Sequence, residues 1–351
     1  MLRLLGWGSL ACFALGCSST SVNDGHATAG AAGSAGSAGS AGSAGSAGSG
    51  NGGSAGSSSS GGSGASAGTG GSGVGGASGS AGAGAAAGAA GTAGSGGQPG
   101  DPCAEILSEY AAAGVNCEDL GSQSVAANAI WGGGCSRYSS LVVQPVTVVA
   151  DSDPAGKPTA LIADTIEIQA GATLSLDGKG FAQGLGPGHG ATFENTYGSG
   201  AGHGGKGLDR GTAPGGGTYG VAAWPVSAGS GGGIGVGDGG SGGGALLLCA
   251  RQSITVDGLI SVDGAGSGQG GGGAGGSLLL VSPRIQGAGS LSARGGLATW
   301  SVCGGAGASG GGGRIALRAL DNLFTGTIDV SGPTLCYGTA GTGTSYSGPL
   351  P

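Results

Sequence analysis

The sequence predicts an all-β fold, a parallel β-helix or solenoid with glycine-rich loop insertions between its coils. One observation is an apolar pattern that recurs in four segments between residues 161 and 332, at unequal intervals. A second is that each segment is too short to bury its own apolar face, so the copies must stack on one another. A third is the composition, with 95 glycines in 351 residues but without the Gly-X-Y period of collagen.

Residues 1–16 form a predicted secretory signal peptide. Arg3 supplies a positive charge, and the apolar run that follows is too short for the ~20 residues that span a bilayer as a helix. The motif Ala14-Leu15-Gly16-Cys17 resembles the lipobox of bacterial lipoproteins, although alanine stands where leucine is usual. The resemblance implies that Cys17 is acylated and anchors the chain to a membrane. An ordinary signal peptide cut at the same bond is the alternative.

Residues 17–100 form a predicted disordered tether that begins at the lipidated cysteine. The segment is almost entirely glycine, serine and alanine, so it cannot bury enough apolar surface to become ordered. As a flexible coil of roughly 80 residues it would span about 50 Å, enough to hold a domain away from a membrane. Ser18 resembles the residue that follows the cysteine in lipoproteins of the outer membrane. We therefore expect an outer-membrane lipoprotein whose domain faces the periplasm or the cell surface.

Residues 101–140 are predicted to form a small helical cap that carries disulfides. Asp101 suits an N-cap position and Pro102 suits the first helical position. Apolar residues follow at helical spacing until Gly114 ends the run. The pattern predicts a short helix over 102–113.

The cysteines indicate disulfides formed in an oxidising compartment. Of the eight cysteines, Cys12 is lost with the signal and Cys17 carries the lipid, which leaves an even number. Their pairing does not follow from the sequence. Zinc is the alternative, but the chain has no Cys-x-x-Cys pair. The candidate disulfide cysteines are Cys103, Cys117, Cys135, Cys249, Cys303 and Cys336.

The solenoid is predicted over residues 141–335 and is followed by a C-terminal tail, 336–351. Its four copies are 161–178, 247–264, 278–295 and 315–332, which align the apolar residues Leu161, Leu247, Leu278 and Ile315. A second aligned apolar position holds Ile168, Ile254 and Ile285 in the first three copies. Equivalent residues of stacked strands are ~4.8 Å apart. This spacing predicts one internal ladder, made of Leu174, Ile260, Leu291 and Ile328. A β-sandwich is the alternative, but it predicts evenly spaced strands, whereas the intervals here vary widely.

The intervals between the copies are glycine segments, 179–244, 265–276 and 296–313. Two interpretations stay open for them, close-packed polyglycine helices and mobile loops. The segments hold most of the aromatic residues of the domain, and inserted loops commonly carry binding sites. We therefore predict recognition aromatics that contact sugar rings or a protein partner, the alternative being that they fill gaps between loop and core. They are Trp224, Tyr219 and Trp300.

A family resemblance supports the predicted fold. It rests on a series of glycine motifs whose order and spacing match: Gly202-His203-Gly204-Gly205, Gly242-Gly243-Gly244-Ala245-Leu246, Val256-Asp257-Gly258, Gly275-Gly276-Ser277-Leu278 and Gly311-Gly312-Gly313-Arg314-Ile315-Ala316. Over roughly residues 160–320 the chain resembles a glycine-rich β-helix module of exported bacterial surface lipoproteins of the myxobacterial type. The resemblance implies an extracellular β-helical domain, and it brings no catalytic residues.

Ionisable residues give no catalytic pattern, and we predict no metal and no cofactor. His189 and His203 lie near acidic residues in one glycine segment, but hydrogen-bonding roles are the simpler interpretation. Three aspartates precede glycines at strand ends, where side-chain oxygens commonly cap turns. Four arginines of the strands lack carboxylates that recur beside them. The aspartates are Asp177, Asp257 and Asp263, and the arginines are Arg251, Arg284, Arg294 and Arg318.

Charge and layout narrow the classes of function. A net charge of −7 with only 11 basic residues gives no electrostatic footprint for nucleic acid. We expect a surface-displayed, non-enzymatic lipoprotein with a structural, adhesive or binding role. Its expected partners are the membrane, through the lipid, and a polysaccharide or a cell-surface protein. A polysaccharide lyase or hydrolase on a β-helix is the alternative, and it would need carboxylates that converge on one groove.

Overall fold

The computed structural model describes residues 100–152, 157–194, 196–299 and 307–351. Within these ranges the fold is all-β, with most strands in parallel sheets and one helix. The predicted signal peptide, Cys17, the tether up to residue 99, Trp300 and Cys303 lie outside the described residues. What the sequence predicts for them stays a prediction.

The described residues form the following elements in chain order. The helix and the first ten strands are α1 (Ala104–Ala112), β1 (Glu118–Asp119), β2 (Ser122–Val125), β3 (Ala129–Trp131), β4 (Cys135–Arg137), β5 (Ser140–Val143), β6 (Thr147–Ala150), β7 (Thr159–Ile168), β8 (Thr173–Ser175), β9 (Thr192–Phe193) and β10 (Tyr197–Gly198). The later strands are β11 (Ala245–Val256), β12 (Leu259–Ser261), β13 (Ser277–Gly287), β14 (Ser290–Ser292), β15 (Arg314–Phe324), β16 (Thr327–Asp329), β17 (Thr334–Leu335), β18 (Gly338–Thr339) and β19 (Thr344–Gly348).

Two parallel sheets contain most of these strands. The larger sheet has the order β1-β4-β7-β11-β13-β15-β19, with β5 also paired to β7 and β2 paired to β5. The smaller sheet has the order β16-β14-β12-β8-β6-β3. From β7 onward the chain places a long strand in the larger sheet, then a short strand in the smaller sheet, and repeats this beside the previous pair. The glycine segments return the chain from the smaller sheet to the larger one.

Apolar side chains of the two sheets pack together as the main core. The predicted ladder through the smaller sheet is confirmed, since Leu174 pairs with Ile260, Ile260 with Leu291, and Leu291 with Ile328. The first three of these residues are buried, while Ile328 on the outermost strand is 39% exposed. Three of the four aligned short strands alternate polar and apolar residues, and this period of two favours the observed register.

The register of the long strands differs from the sequence alignment by one residue at Leu247 and by two residues at Ile168. Leu246, not Leu247, pairs with Leu278, which itself pairs with Ile315 as predicted. Ile166, not Ile168, lies opposite Ile254, because the pairing shifts at an irregularity in β11. The first halves of these strands are buried on both faces. Continuous apolar runs are typical of such strands and carry no alternation from which a register can be read.

The outer face of the larger sheet is covered by helix α1, which forms a second core there. The helix lies inside the predicted range 102–113, and its Ile106 and Tyr110 are buried. Asp101 accepts a hydrogen bond from the backbone N–H of Cys103, at 2.9 Å, so the helix begins after a turn. A disulfide joins Cys103 to Cys249 of β11 and attaches the helix to the sheet.

The strands extend beyond the segment limits drawn from the sequence. Pairing begins at Glu118 in β1, inside the segment predicted as a helical cap, and the two short strands that open the larger sheet are largely exposed. Their polar residues carry no alternating pattern, which is why the sequence does not reveal them. A second disulfide, Cys117–Cys135, lies in this region. The segment predicted as a C-terminal tail supplies β19, which pairs with β15.

The described parts of the three glycine segments pack together, and we call them the glycine layer. Backbone hydrogen bonds connect each segment to the others, among them Gly243 N–H to Ala274 O at 2.9 Å, Gly272 N–H to Ala308 O at 2.8 Å, and Gly311 N–H to Ala201 O at 2.8 Å. Of the two interpretations left open by the sequence, close packing is therefore the one observed in the described residues. These contacts join the three segments into one packed, glycine-rich layer.

Close approach, rather than unusual backbone dihedrals, explains why the layer is made of glycine. A Cβ added at Gly271 would lie 1.8 Å from the carbonyl oxygen of Ser199, and one at Gly272 would lie 2.1 Å from that of Gly296. Neither residue has a positive φ. Any side chain at these positions would have to displace a neighbouring backbone, so glycine is the residue that allows these segments to touch.

Candidate functional site

A cleft of about 270 Å³ lies between helix α1 and the glycine layer, with Leu247 of the larger sheet among its lining residues. We call it the aromatic cleft, because three aromatic rings and two prolines line it beside one cation and one anion. These residues are Tyr110, Phe181, Tyr219, Pro158, Pro187, Lys157 and Glu109. The lining also includes Val226, Ser227 and Ala228 of the longest glycine segment.

Phe181 and Tyr219 are each backed by a glycine of the layer. The Phe181 ring lies so close to Gly186 that a Cβ there would be 2.8 Å from its Cδ2 atom. A Cβ at Gly188 would be 3.0 Å from Cε1 of Tyr219. Phe181 is nevertheless 40% exposed, and Tyr219 is partly exposed. Glycine thus supports one side of each ring without covering the side that faces the cleft.

The Tyr219 hydroxyl is held inward by two hydrogen bonds. It donates to the carbonyl oxygen of Ala228 at 2.6 Å and accepts from the Ser230 hydroxyl at 2.8 Å. Burial raises the pKa of Tyr219 to about 12, so the phenol stays neutral. What Tyr219 offers to the cleft is therefore its ring and not its hydroxyl.

His203 lies beneath Tyr219 and is fully buried, with the two ring centroids 4.6 Å apart. Its Nδ1 lies 2.8 Å from the carbonyl oxygen of Gly275, to which it must donate. Burial lowers the pKa of His203 to about 4, so the ring is neutral near pH 7. Nε2 is then an acceptor, and it has no hydrogen-bond partner among the described residues.

Arg314 of β15 holds Tyr219 in place through hydrogen bonds to its backbone. Its Nε and one terminal nitrogen donate to the carbonyl oxygen of Tyr219, at 2.9 and 2.7 Å, and its other terminal nitrogen donates to Oγ1 of Thr344 at 2.9 Å. Only 7% of Arg314 is exposed, and burial lowers its pKa. These hydrogen bonds connect the backbone of Tyr219 to a strand of the larger sheet. They thereby restrain the position of its ring in the cleft.

The rim of the cleft carries a balanced pair of charges. Nζ of Lys157 lies 3.5 Å from a carboxylate oxygen of Glu109 and 5.3 Å from the centre of the Tyr110 ring. The Tyr110 hydroxyl donates to the carbonyl oxygen of Pro158 and is buried. Lys157 is only 25% exposed in its side chain, while Glu109 is 61% exposed. Polar groups at the edge and apolar rings inside are the arrangement of many small-molecule sites.

Of the predicted recognition aromatics, only Tyr219 lies in the aromatic cleft. Trp224 is half-buried and packs against the second core, with the Arg318 guanidinium 5.9 Å from its ring centre. Trp300 lies outside the described residues. Phe181 was not predicted, and the only sequence signal for it is an isolated aromatic residue between Gly180 and a short polar turn.

Of the predicted disulfide cysteines, four pair as Cys103–Cys249 and Cys117–Cys135. Cys336 is also disulfide-bonded. The first pair encloses most of the described chain, because its partners are 146 residues apart in sequence.

The histidines and aspartates singled out in the sequence have structural partners. The ring of His189 hydrogen-bonds through Nδ1 to the carbonyl oxygen of Gly186, and the described residues contain no group of three metal-ligating side chains. Asp177 accepts from the Ser261 hydroxyl at 2.5 Å and from the Asp263 N–H at 2.6 Å. These aspartates connect neighbouring strands of the smaller sheet, which extends the turn-capping role predicted for them.

Most of the arginines singled out in the sequence have carboxylate partners, which the sequence interpretation did not anticipate. Three of the four form ion pairs, and each partner lies far along the chain or on a neighbouring strand, where sequence proximity gives no hint of it. The pairs are Arg251 with Asp101 and Asp164, Arg284 with Asp321, and Arg294 with Asp263.

A larger cavity, of about 790 Å³, lies at the N-terminal edge of the two sheets. Leu120, Val125 and Trp131 line it and also pack against the main core. The cavity is therefore the uncovered end of the core between the sheets. Its lining mixes apolar residues with the polar residues Asn116, Glu118, Gln123 and Ser136, and only one of these is ionisable.

Comparisons with protein-family models, curated proteins and solved structures gave no match. Among the described residues, no helix has both the length and the apolar character needed to cross a membrane. The assignment of a role consequently rests on the geometry of the aromatic cleft and on the sequence.

Proposed function

We propose that this chain is an exported lipoprotein whose β-solenoid domain binds a ligand at the cell surface and has no enzymatic activity. The observation that carries the proposal is the aromatic cleft, in which the Phe181 and Tyr219 rings are exposed on one side and supported by glycine on the other. A ring held in this way loses little conformational freedom on binding, which favours affinity.

The order of the strands supports the solenoid interpretation. Each long strand of the larger sheet is followed by a short strand of the smaller sheet, and both lie beside their counterparts from the preceding copy. The glycine layer then closes each coil. Successive coils cover one another's apolar face, which is the stabilising principle of repeat folds.

The ion pairs favour binding over catalysis. Asp263 is already engaged by Arg294, and Asp101 and Asp164 are engaged by Arg251. A glycosidase or lyase needs carboxylates free to act on a substrate within one groove. The aromatic cleft contributes a single carboxylate, that of Glu109, which faces Lys157.

The two observed disulfides support export, since such bonds persist in oxidising compartments. The anchor is tested by replacing Cys17 with serine and by treating cells with globomycin, which blocks the signal peptidase specific to lipoproteins. We expect an uncleaved precursor in both cases, which keeps its apolar signal segment and therefore does not reach the outer membrane. A Cys17→Ser protein that is cleaved normally and stays in the membrane would exclude the lipid anchor.

Binding is tested with the fluorescently labelled mature protein added to intact cells. We expect saturable attachment that Phe181→Ala weakens about tenfold. Phe193→Ala is the matched control, because Phe193 lies in the same glycine segment but does not line the cleft. Equal attachment of both variants and the parent protein would contradict binding through the cleft.

A further inference from the structure

We infer that the aromatic cleft takes one neutral sugar ring of a polysaccharide. This inference rests on the proposed binding function and specifies its ligand. It follows from the size of the cleft, from the surfaces that its residues present, and from the balance of charge at its rim.

The size of the cleft limits the ligand to about one ring. Pockets that enclose drug-sized molecules measure about 300–1,000 Å³. The aromatic cleft, at about 270 Å³, lies below that range and holds a single hexose-sized unit rather than a folded partner or a bulky side-chain cluster. Its open side allows the neighbouring units of a longer polymer to continue into solvent.

The surfaces inside the cleft fit a ring that has apolar faces and a polar edge. The hydroxyls of Tyr110 and Tyr219 are both engaged by backbone carbonyl groups of the protein, so these residues present carbon surface. Phe181 and the two prolines of the lining add further carbon surface. A pyranose presents C–H groups on its faces and hydroxyls around its edge. The faces fit the rings of the cleft, and the edge reaches the polar rim.

The rim provides hydrogen-bonding groups for sugar hydroxyls without a net charge. Lys157 is a donor and Glu109 is an acceptor, and the two already neutralise each other at 3.5 Å. Ser227 is a further polar residue of the lining. The net charge of the whole chain is −7, which repels polyanions at long range. A neutral sugar is therefore favoured over a uronate or another acidic unit.

A proline-rich peptide is the main competing ligand, because grooves lined by aromatic rings also bind polyproline helices. Such grooves hold several peptide residues in a row. The aromatic cleft is one short depression bounded by α1 and by Pro187, which does not provide the successive pockets that a peptide of this kind needs.

The test uses the detergent-solubilised mature protein and saturation-transfer NMR with three probes, a neutral hexose oligosaccharide panel (cello-, malto- and mannohexaose), oligogalacturonate and a proline decapeptide. We expect transfer to ring C–H protons of at least one neutral oligosaccharide, weakened about tenfold by Phe181→Ala and unchanged by Phe193→Ala. Binding of only the uronate or only the peptide would overturn the inference, as would the absence of binding to every probe.

The two experiments distinguish a failure of the ligand inference from a failure of the proposed binding function. If labelled protein attaches to cells in a Phe181-dependent manner but no neutral sugar binds, the binding function stands and the ligand inference falls. If attachment does not depend on Phe181, both fall. Thermal melting of Phe181→Ala and Phe193→Ala, measured beside the parent protein, separates lost binding from lost folding.

Discussion

Cys103, at the start of helix α1, is joined to Cys249, in the middle of β11, with 5.8 Å between their Cα atoms. Both residues are fully buried. The bond holds the helix on the outer face of the larger sheet, and the helix forms one wall of the aromatic cleft through Glu109 and Tyr110. The disulfide thus connects the stability of the domain to the shape of its candidate site.

Removing this disulfide should destabilise the domain more than removing the other one. In the chain-entropy model a loop of 146 residues restricts the unfolded chain more than a loop of 18 residues. The model difference is about 2 kcal/mol. We expect Cys103→Ala/Cys249→Ala to lower the denaturant midpoint well below that of Cys117→Ala/Cys135→Ala. Equal midpoints for the two double variants would contradict the chain-entropy account.

The effect of a glycine-to-alanine substitution in the glycine layer on stability should depend on the space around that glycine. A Cβ at Gly271 would lie 1.8 Å from a carbonyl oxygen, whereas one at Gly217 would meet nothing within 4 Å. We expect Gly271→Ala to cost about 3 kcal/mol or more, because a neighbouring backbone must move. Gly217→Ala should be neutral or stabilising by up to about 1 kcal/mol, through the unfolded chain. Urea unfolding of both variants measures the contrast, and similar losses would argue against close packing.

The stability of the domain should fall between pH 6.5 and pH 4 because of His203. Its pKa is about 4 in the folded protein, against 6.5 for an unperturbed histidine, so the unfolded chain binds more protons in this window. Stability is therefore fully present above pH 6.5 and is lost as the pH falls toward 4. The linkage amounts to ~3 kcal/mol, most of it from burial of the ring.

The matched variant for this prediction is His203→Asn, whose amide nitrogen can replace Nδ1 as donor to Gly275. We expect it to flatten the pH dependence between pH 6.5 and 4. Free energies of unfolding from urea titrations across this window provide the measurement. A parent protein equally stable at pH 4.5 and 7 would show that burial of His203 is not linked to protonation.

Alanine substitutions in the internal ladder should cost less stability at its outermost strand than in its middle. Ile260 is fully buried between Leu174 and Leu291, whereas Ile328 is 39% exposed on the outermost strand. Ile260→Ala should cost about 2–5 kcal/mol, as other large-to-small core substitutions do. Ile328→Ala should cost about 1 kcal/mol, because its side chain already contacts water. Unfolding in urea distinguishes the two, and the reverse order would place the core elsewhere.

This ladder was predictable from the sequence because the short strands alternate apolar and polar residues. Leu174 and Leu291 each stand between polar neighbours, and Ile260 precedes a serine, so the pattern favours the register that buries all three. The long strands have no such alternation. Leu246 and Leu247 are both buried, one in the main core and the other in the second core, and a slip of one residue leaves the apolar pattern unchanged.

The candidate site was less accessible to sequence reasoning, because its parts come from distant segments. Glu109 and Tyr110 of the helix meet Phe181 and Tyr219 only after the helix has docked and the glycine layer has packed. The sequence does indicate that loop aromatics matter, and Tyr219 follows from that argument. Nothing local separates Phe181, which faces the cleft, from Trp224, which packs against the second core.

Trp224 should contribute to stability rather than to recognition. Its ring is half-buried against the second core and lies 5.9 Å from the Arg318 guanidinium, which also stands 5.4 Å from the Tyr346 ring. Truncation to alanine removes these contacts and should cost about 2 kcal/mol. For a domain of this size that lowers the melting temperature by roughly 4–8 °C.

Attachment to cells and to sugars should survive this change at temperatures where Trp224→Ala is folded, because the residue does not line the aromatic cleft. Phe181→Ala is the complementary variant, expected to keep its melting temperature and to lose binding. Scanning calorimetry and the saturation-transfer experiment on the same samples give both quantities. If Trp224→Ala instead abolished binding with an unchanged melting temperature, recognition would involve the face of the glycine segment around Trp224, and the cleft would not be the main binding site.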